Sequence, residues 1–346
     1  MNRTYRIDDG RQTLVLAARN DRLPEAVYWG ALLPADENLD TLHAAHAIDV
    51  TGGMLDENPD LSICPEATRS FPGQPGLILR DSDGTPLLPK FCFDSMTQNG
   101  TLELTYVDKD NGLTLTVTFI SDPDTHVITC QTTLDATRPV HLHWLAAPVL
   151  PGPQQSDEMI DVSGRWCGEF QLSRTAWAPG MRYRENRTGR TGHEHFPGLF
   201  VPCRGATNTE GEAYAFHYGW SGGHKMIAEE LQDGRRQIQW GHAARMETEA
   251  ATQFKTAPLY IAYSNTGLNG CAVAFQRHLR DRIVTWPKPN APRPVHYNCW
   301  EAVYFDHKLP VLQDIADRAS SLGAERFVLD DGWFGNRDDD TRSLSD

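Results

Sequence analysis

Long hydrophobic runs are missing from this 346-residue chain. Nothing approaches the ~18 consecutive apolar residues of a membrane-spanning helix, which excludes an integral helical membrane protein. Positive charge is scarce: 32 Lys and Arg stand against 46 Asp and Glu, a formal net charge of −14. So acidic a surface repels phosphate backbones and argues against a nucleic-acid partner. Cysteines are few and scattered (64, 92, 130, 167, 203, 271 and 299) with no C-x-x-C spacing. An odd, unclustered set reads as reduced thiols, neither a disulfide frame nor a zinc site. The first residues, Met1 to Leu16, lack the apolar stretch and small-residue cleavage site of a secretory signal, so the expected location is the cytoplasm. There is no G-x-G-x-x-G, no P-loop and no G-x-S-x-G, so no cofactor is predicted.

What is present is ordinary globular material, 40% hydrophobic and 23% charged. The length suggests two domains, or one large domain and a piece of another, at ~100–200 residues each. Through about residue 285 the pattern is β. Leu102, Leu104 and Tyr106 alternate with polar residues, Asp110-Asn111-Gly112 supplies a turn, and Leu113, Leu115, Val117 and Phe119 alternate again, predicting a hairpin with one buried face. Ile128, Cys130, Thr132 and Leu134 continue the period of two, and Met226 to Trp240 forms a second hairpin around Asp233-Gly234. Many strands joined by short turns predict a large sandwich of packed antiparallel sheets. One helix closes the region over Gly270–Val284, with Val273, Phe275, Leu279 and Ile283 expected on its buried face. Residues 286–294 hold four prolines and read as a stiff linker.

Beyond the linker the pattern changes. A short strand over 295–300, a helix from Pro310 to Leu322 with Gly323 behind it, and the buried run Arg326–Leu329 make one β-α-β unit with parallel strands. A whole (β/α)₈ barrel takes ~250 residues, so residues 295–346 are either a small appendage packed on the sandwich or the truncated start of a barrel. The second is the favoured reading, because a lone β-α-β unit leaves open strand edges. Barrels of this type place their sites at the C-terminal ends of the strands, and Trp300 and Asp330-Asp331 fall there. An indole stacks on the C–H face of a sugar ring while carboxylates accept from its hydroxyls, so these three residues make a plausible hexose pocket. The alternative is that Trp300 is core and Asp330 a cap. The two Asp do not read as a catalytic pair. Neighbours on an extended segment point to opposite sides, and a retaining glycosidase needs carboxyls facing each other at ~5–5.5 Å.

Other clusters yield less. Gly192-His193-Glu194-His195 has two His at i, i+2 but no third ligand nearby, and is read as turn or interface, not as a metal site. His141-Leu142-His143 is read as one exposed strand face, Arg182 to Arg187 as an ion-pairing strand, and Trp220 to His224 as a tight turn.

The segments Asn298-Cys299-Trp300-Glu301-Ala302 and Phe327-Val328-Leu329-Asp330-Asp331-Gly332-Trp333-Phe334 resemble the start of the catalytic barrel in glycoside hydrolase family 36 α-galactosidases. Gly189-Arg190-Thr191-Gly192-His193, Gly219-Trp220-Ser221-Gly222 and Gly267-Leu268-Asn269-Gly270 resemble motifs of that family's N-terminal β-supersandwich. The resemblance implies a β-supersandwich over residues 1–285 followed by the first β-α-β unit of an incomplete (β/α)₈ barrel. It implies a retaining hydrolase of terminal α-linked galactose in oligosaccharides of the melibiose and raffinose type. Trp300, Asp330 and Asp331 match positions that line the galactose pocket, whereas the nucleophilic and acid/base Asp belong to later strands, past residue 346. This chain is accordingly expected to be a fragment without activity of its own. The family also implies a homo-oligomer, with a tetramer as one form. One stretch departs from the family pattern: where relatives carry a Gly-rich loop ending in Asp-Phe-Arg, this chain reads Ser70-Phe71-Pro72-Gly73-Gln74-Pro75-Gly76-Leu77. A stand-alone carbohydrate-binding or assembly module is the competing expectation, and α-N-acetylgalactosaminidase or transglycosylase action on the same scaffold a third.

Overall fold

The computed structural model describes residues 2–47, 58–190, 194–243, 249–288 and 291–343. Gly192 and His193 of the histidine cluster, and Pro289-Asn290 of the proline-rich segment, lie outside the described residues. The chain divides into two compact units, Met1–Val284 and Thr285–Asp346.

The first unit is a large antiparallel β domain. Strands Thr101–Asp108 and Leu113–Asp122 pair from Thr101↔Ile120 to Asp108↔Leu113. Their alternate residues Leu102, Leu104, Tyr106, Leu115, Val117 and Phe119 are buried, as the period of two requires. The turn is held by Asp108, whose Oδ1 accepts from the backbone N–H of Asp110 and Asn111, at 3.0 and 3.2 Å. Next comes the 19-residue strand Val127–Leu145, which pairs in turn with Leu113–Asp122, Leu259–Ser264, Ala251–Lys255 and Leu77–Arg80. Among the described residues these belong to one twelve-stranded sheet; a three-stranded sheet (Arg3–Asp8, Gln12–Ala18, Glu25–Ala31) and a four-stranded sheet around the hairpin His224–Glu230 and Arg236–His242 share its core. Leu14 and Trp29 from one sheet, Leu104 and Leu115 from the second, and Met226 and Trp240 from the third all lie in a single cluster.

The helix Gly267–His278 packs on the opposite face of the large sheet. That face is paved with small residues. In the strand Ala213–Tyr218, Ala213 and Ala215 face the helix while Tyr214 and Phe216 face the main core; Ala262 does the same between Ile261 and Tyr263. This corrects the expected helix face. Cys271, Ala274 and His278 are buried, Phe275 is half-buried, and Val273, Leu279 and Ile283 are exposed. An alanine-paved sheet admits the helix backbone closely, so the narrow side is turned inward. The helix also begins three residues earlier than the apolar pattern suggested, and its last turn, Leu279–Ile283, widens into a π-helix.

The second unit carries the β-α-β pattern. Strands His296–Asn298 and Arg326–Val328 pair in parallel, His296↔Arg326 to Asn298↔Val328. The helix Leu309–Ser321 runs between them, with proline in its first turn and Gly323 behind it at φ 95°. Most apolar side chains of this unit are uncovered: Leu309, Val311 and Trp333 are exposed and Leu322 is 88% exposed, while Cys299 and Ala319 alone among its described apolar residues are buried. So little burial supplies little stability. Limited proteolysis of the 346-residue chain is therefore expected to cut first within 285–346 and to leave a resistant core ending near Val284. A 296–346 segment as resistant as the β domain would count against this.

Candidate functional site

The site grows from the C-terminal ends of the two parallel strands. Tyr297 and Phe327 stack as neighbours in the pair, 5.7 Å between ring centres, and the ladder is extended by Cys299 N–H to the Val328 carbonyl at 3.1 Å. Asn298 is the last residue of its strand. Its carboxamide reaches the segments that follow both strands: Oδ1 accepts from the Trp300 backbone N–H at 2.8 Å, and Nδ2 donates to Asp330 Oδ2. One side chain thus ties the backbone of Trp300 to the carboxylate of Asp330. Trp300 is not on a strand; it opens the short helix Trp300–Val303. Its half-buried indole meets Tyr304 and Phe305 edge-on, at 5.3 and 4.9 Å.

Asp330 and Asp331 diverge. Asp330 faces Asn298, and its Oδ1 accepts the Asp331 N–H at 2.8 Å. Asp331 is held from the other side by Arg337, Nε to Oδ1 at 2.9 Å and Nη2 to Oδ2 at 2.7 Å. The guanidinium beside Asp331 keeps its carboxyl below the usual carboxylate range. The structure therefore brings Trp300 and Asp330 together on Asn298 and sets Asp331 next to them on Arg337. Gly332 follows at φ +92°, where an added Cβ would stand 3.0 Å from Phe305 Cδ1 and 3.2 Å from the Arg337 carbonyl. Two contributors escape sequence reasoning. Arg337 sits in a charged run that reads as a solvated loop, and Phe305 carries no motif. Asn298 opens the segment that includes Trp300, but sequence reasoning assigns its carboxamide no role.

The remaining clusters fall elsewhere. Among the described residues no group of three or more His, Cys, Asp or Glu is placed to hold a metal ion, and no helix is long and apolar enough to cross a membrane. His195 begins the strand His195–Pro202, half-buried, its basicity lowered by burial. Arg182 and Arg184 pair with Asp161, at 3.3 and 2.9 Å, and Arg187 with Glu185.

The chain thus joins a broad antiparallel β domain to a parallel β-α-β start whose strand ends carry Trp300, Asp330 and Asp331. The chain matches the glycosyl hydrolase family 36 N-terminal domain over residues 22–247 and Melibiase over residues 253–346. The chain belongs to glycosyl hydrolase family 36, and comprises its N-terminal domain and the beginning of its catalytic domain. It is 35% identical over 331 residues to the alpha-galactosidase of Escherichia coli, covering 93% of this chain and 46% of that protein. It is 33% identical over 210 residues to alpha-galactosidase Mel36A of Lactobacillus acidophilus, covering 60% and 29%. The solved structure of the alpha-galactosidase AgaA of Geobacillus stearothermophilus shares the fold with a TM-score of 0.87 at 24% identity, over 99% of this chain and 52% of that one. Variants of AgaA have been solved in complex with stachyose and with raffinose. The chain spans about half the length of the Escherichia coli relative and of AgaA.

Proposed function

We propose that the protein containing this chain is an α-galactosidase that releases terminal α-linked galactose with retention of configuration, and that these 346 residues supply one wall of its sugar pocket. In this reading the Trp300 indole lies against the C–H face of the galactose, and Asp330 and Asp331 accept hydrogen bonds from its hydroxyls. The nucleophile and the acid/base are contributed by chain beyond residue 346. The observation that carries the reading is the Asn298 carboxamide, which holds Trp300 and Asp330 to one end of the strand pair. A tryptophan and a carboxylate held on one anchor suit a hexose, which offers a C–H face and hydroxyl donors. Separate partners for the two carboxylates, Asn298 for Asp330 and Arg337 for Asp331, also suit hydroxyl binding better than proton relay between the two.

The test compares the 346-residue chain with the product of the reading frame extended downstream, on melibiose and raffinose. The longer protein is expected to release galactose, first as the α-anomer by NMR, and the short chain to release none. Asp331→Ala in the longer protein is expected to lower kcat/KM by about tenfold to a hundredfold, the worth of one charge-assisted hydrogen bond. An active short chain, or an unchanged kcat/KM in the variant, would overturn the reading.

A further inference from the structure

Arg337 is 7% exposed, the one charged side chain among the described residues of its unit that is buried. Its donors are all engaged. Nε and Nη2 form the fork on Asp331; Nη2 also reaches Asp340 Oδ1 at 3.4 Å; Nη1 donates to the carbonyls of Asp339 and Arg342 at 3.0 and 2.8 Å. The loop 337–342 is thereby folded around its own guanidinium. The same group stands over the Phe305 ring, 5.6 Å from Cζ to the ring centre, and Phe305 meets the Trp300 indole edge-on at 4.9 Å. From one buried cation, one path leads to a carboxylate and another to the indole of the proposed pocket.

We propose that Arg337 is a positioning residue that sets Asp331 and, through Phe305, the Trp300 indole in a single arrangement for sugar binding. The proposal rests on the reading of this rim as a galactose site. A guanidinium fork fixes both carboxylate oxygens along one edge and removes the side chain's rotational freedom, leaving the outward lone pairs for a ligand. Lysine cannot replace it, because a point charge lacks the planar fork and the flat face that stacks on an aromatic ring. The charge also keeps Asp331 ionised, so its acceptor role persists at mildly acidic pH. Gly332 lets the turn pass against Phe305 and the Arg337 backbone, which keeps the two paths short.

The first test needs no variant. In the unmodified longer protein, NMR with labelled arginine and aspartate is expected to show a slowly exchanging Arg337 Nε–H whose shift follows the Asp331 titration, with an Asp331 midpoint below that of ordinary carboxylates. Arg337→Gln is expected to raise that midpoint. An Asp331 that titrates in the ordinary range in the unmodified protein, or is unmoved in the variant, overturns the proposal. In the longer protein, Arg337→Lys is expected to lose about tenfold to a hundredfold in kcat/KM on an aryl α-galactoside, matching a lost charge-assisted hydrogen bond. Arg337→Ala is expected to be partly restored by added guanidinium, and Asp331→Ala not. Wild-type kcat/KM in Arg337→Lys would overturn the role. A longer protein that cleaves no α-galactoside would sink the functional reading instead, and the Asp331 titration would then decide the Arg337 contact by itself.

Discussion

Gly267→Ala is expected to destabilise the β domain by about 3–5 kcal/mol, read as a lowered urea midpoint with unchanged slope. Two costs coincide at this residue. Its φ is +71°, a region that side chains disfavour. A Cβ would also stand 2.7 Å from both the Asn208 carbonyl carbon and the Glu210 nitrogen, and closer still to the Thr207 carbonyl oxygen. All three are backbone atoms and cannot swing away. The crowding has a structural reason. The helix Gly267–His278 has no side-chain cap; its first amides donate instead to backbone carbonyls, Gly267 to Gly211 at 2.8 Å, Leu268 to Thr207 at 3.1 Å and Asn269 to Asn208 at 2.9 Å. Satisfying helix amides from a neighbouring loop requires backbone against backbone. Gly84→Ala is the control. It shares a positive φ of +86° with nothing within 4 Å of the added carbon, so strain alone should cost about 1 kcal/mol. Equal losses in the two variants would show that backbone contact is not what Gly267 provides.

Glu66→Gln is expected to stabilise the chain at pH 8 by about 3 kcal/mol and to leave it nearly unchanged at pH 4. Glu66 is 7% exposed, and its carboxyl accepts from Phe91 N–H at 2.7 Å, a bond the glutamine oxygen can also make. Burial pushes its pKa from 4.5 up to about 7, only partly opposed by the Phe91 N–H and Arg69. The folded protein therefore binds the proton more tightly than the unfolded chain. Stability is fully present below 4.5 and falls as pH rises through 7, where the folded state must carry a buried charge. His224 tilts the other way: burial lowers its pKa to about 4, so its cost appears as pH falls from 6.5. The two slopes oppose each other, and the wild-type profile conceals both. Only the difference between wild type and Glu66→Gln, by chemical denaturation from pH 4 to 8, isolates the carboxyl. A pH-independent difference would mean that Glu66 ionises in the fold as freely as in water.

The two groups illustrate what patterning leaves out. Alternation in Leu102 to Phe119 is a local property, and the hairpin followed it residue by residue. Helix Gly267–His278 had an apolar stripe too, yet the stripe is largely exposed, because the alanine face of the sheet, assembled from strands some 50 residues apart in sequence, chose Cys271 and Ala274. At the candidate site, Trp300 and the Asp330-Asp331 pair are read as site residues from their places after two apolar runs. Arg337 is not, since burial of one arginine within Asn336 to Arg342 depends on how that loop closes.

By itself the amino-acid order determined the strand periods, the turns, the acidic balance and the β-α-β rhythm after the prolines, since each depends on neighbours a few positions apart. Tertiary structure alone decided which face of the helix is hidden, that one asparagine side chain holds Trp300 to Asp330, and that a guanidinium holds Asp331. Those outcomes are set by which distant backbones come close enough to exclude water, and spacing along the chain carries no record of that.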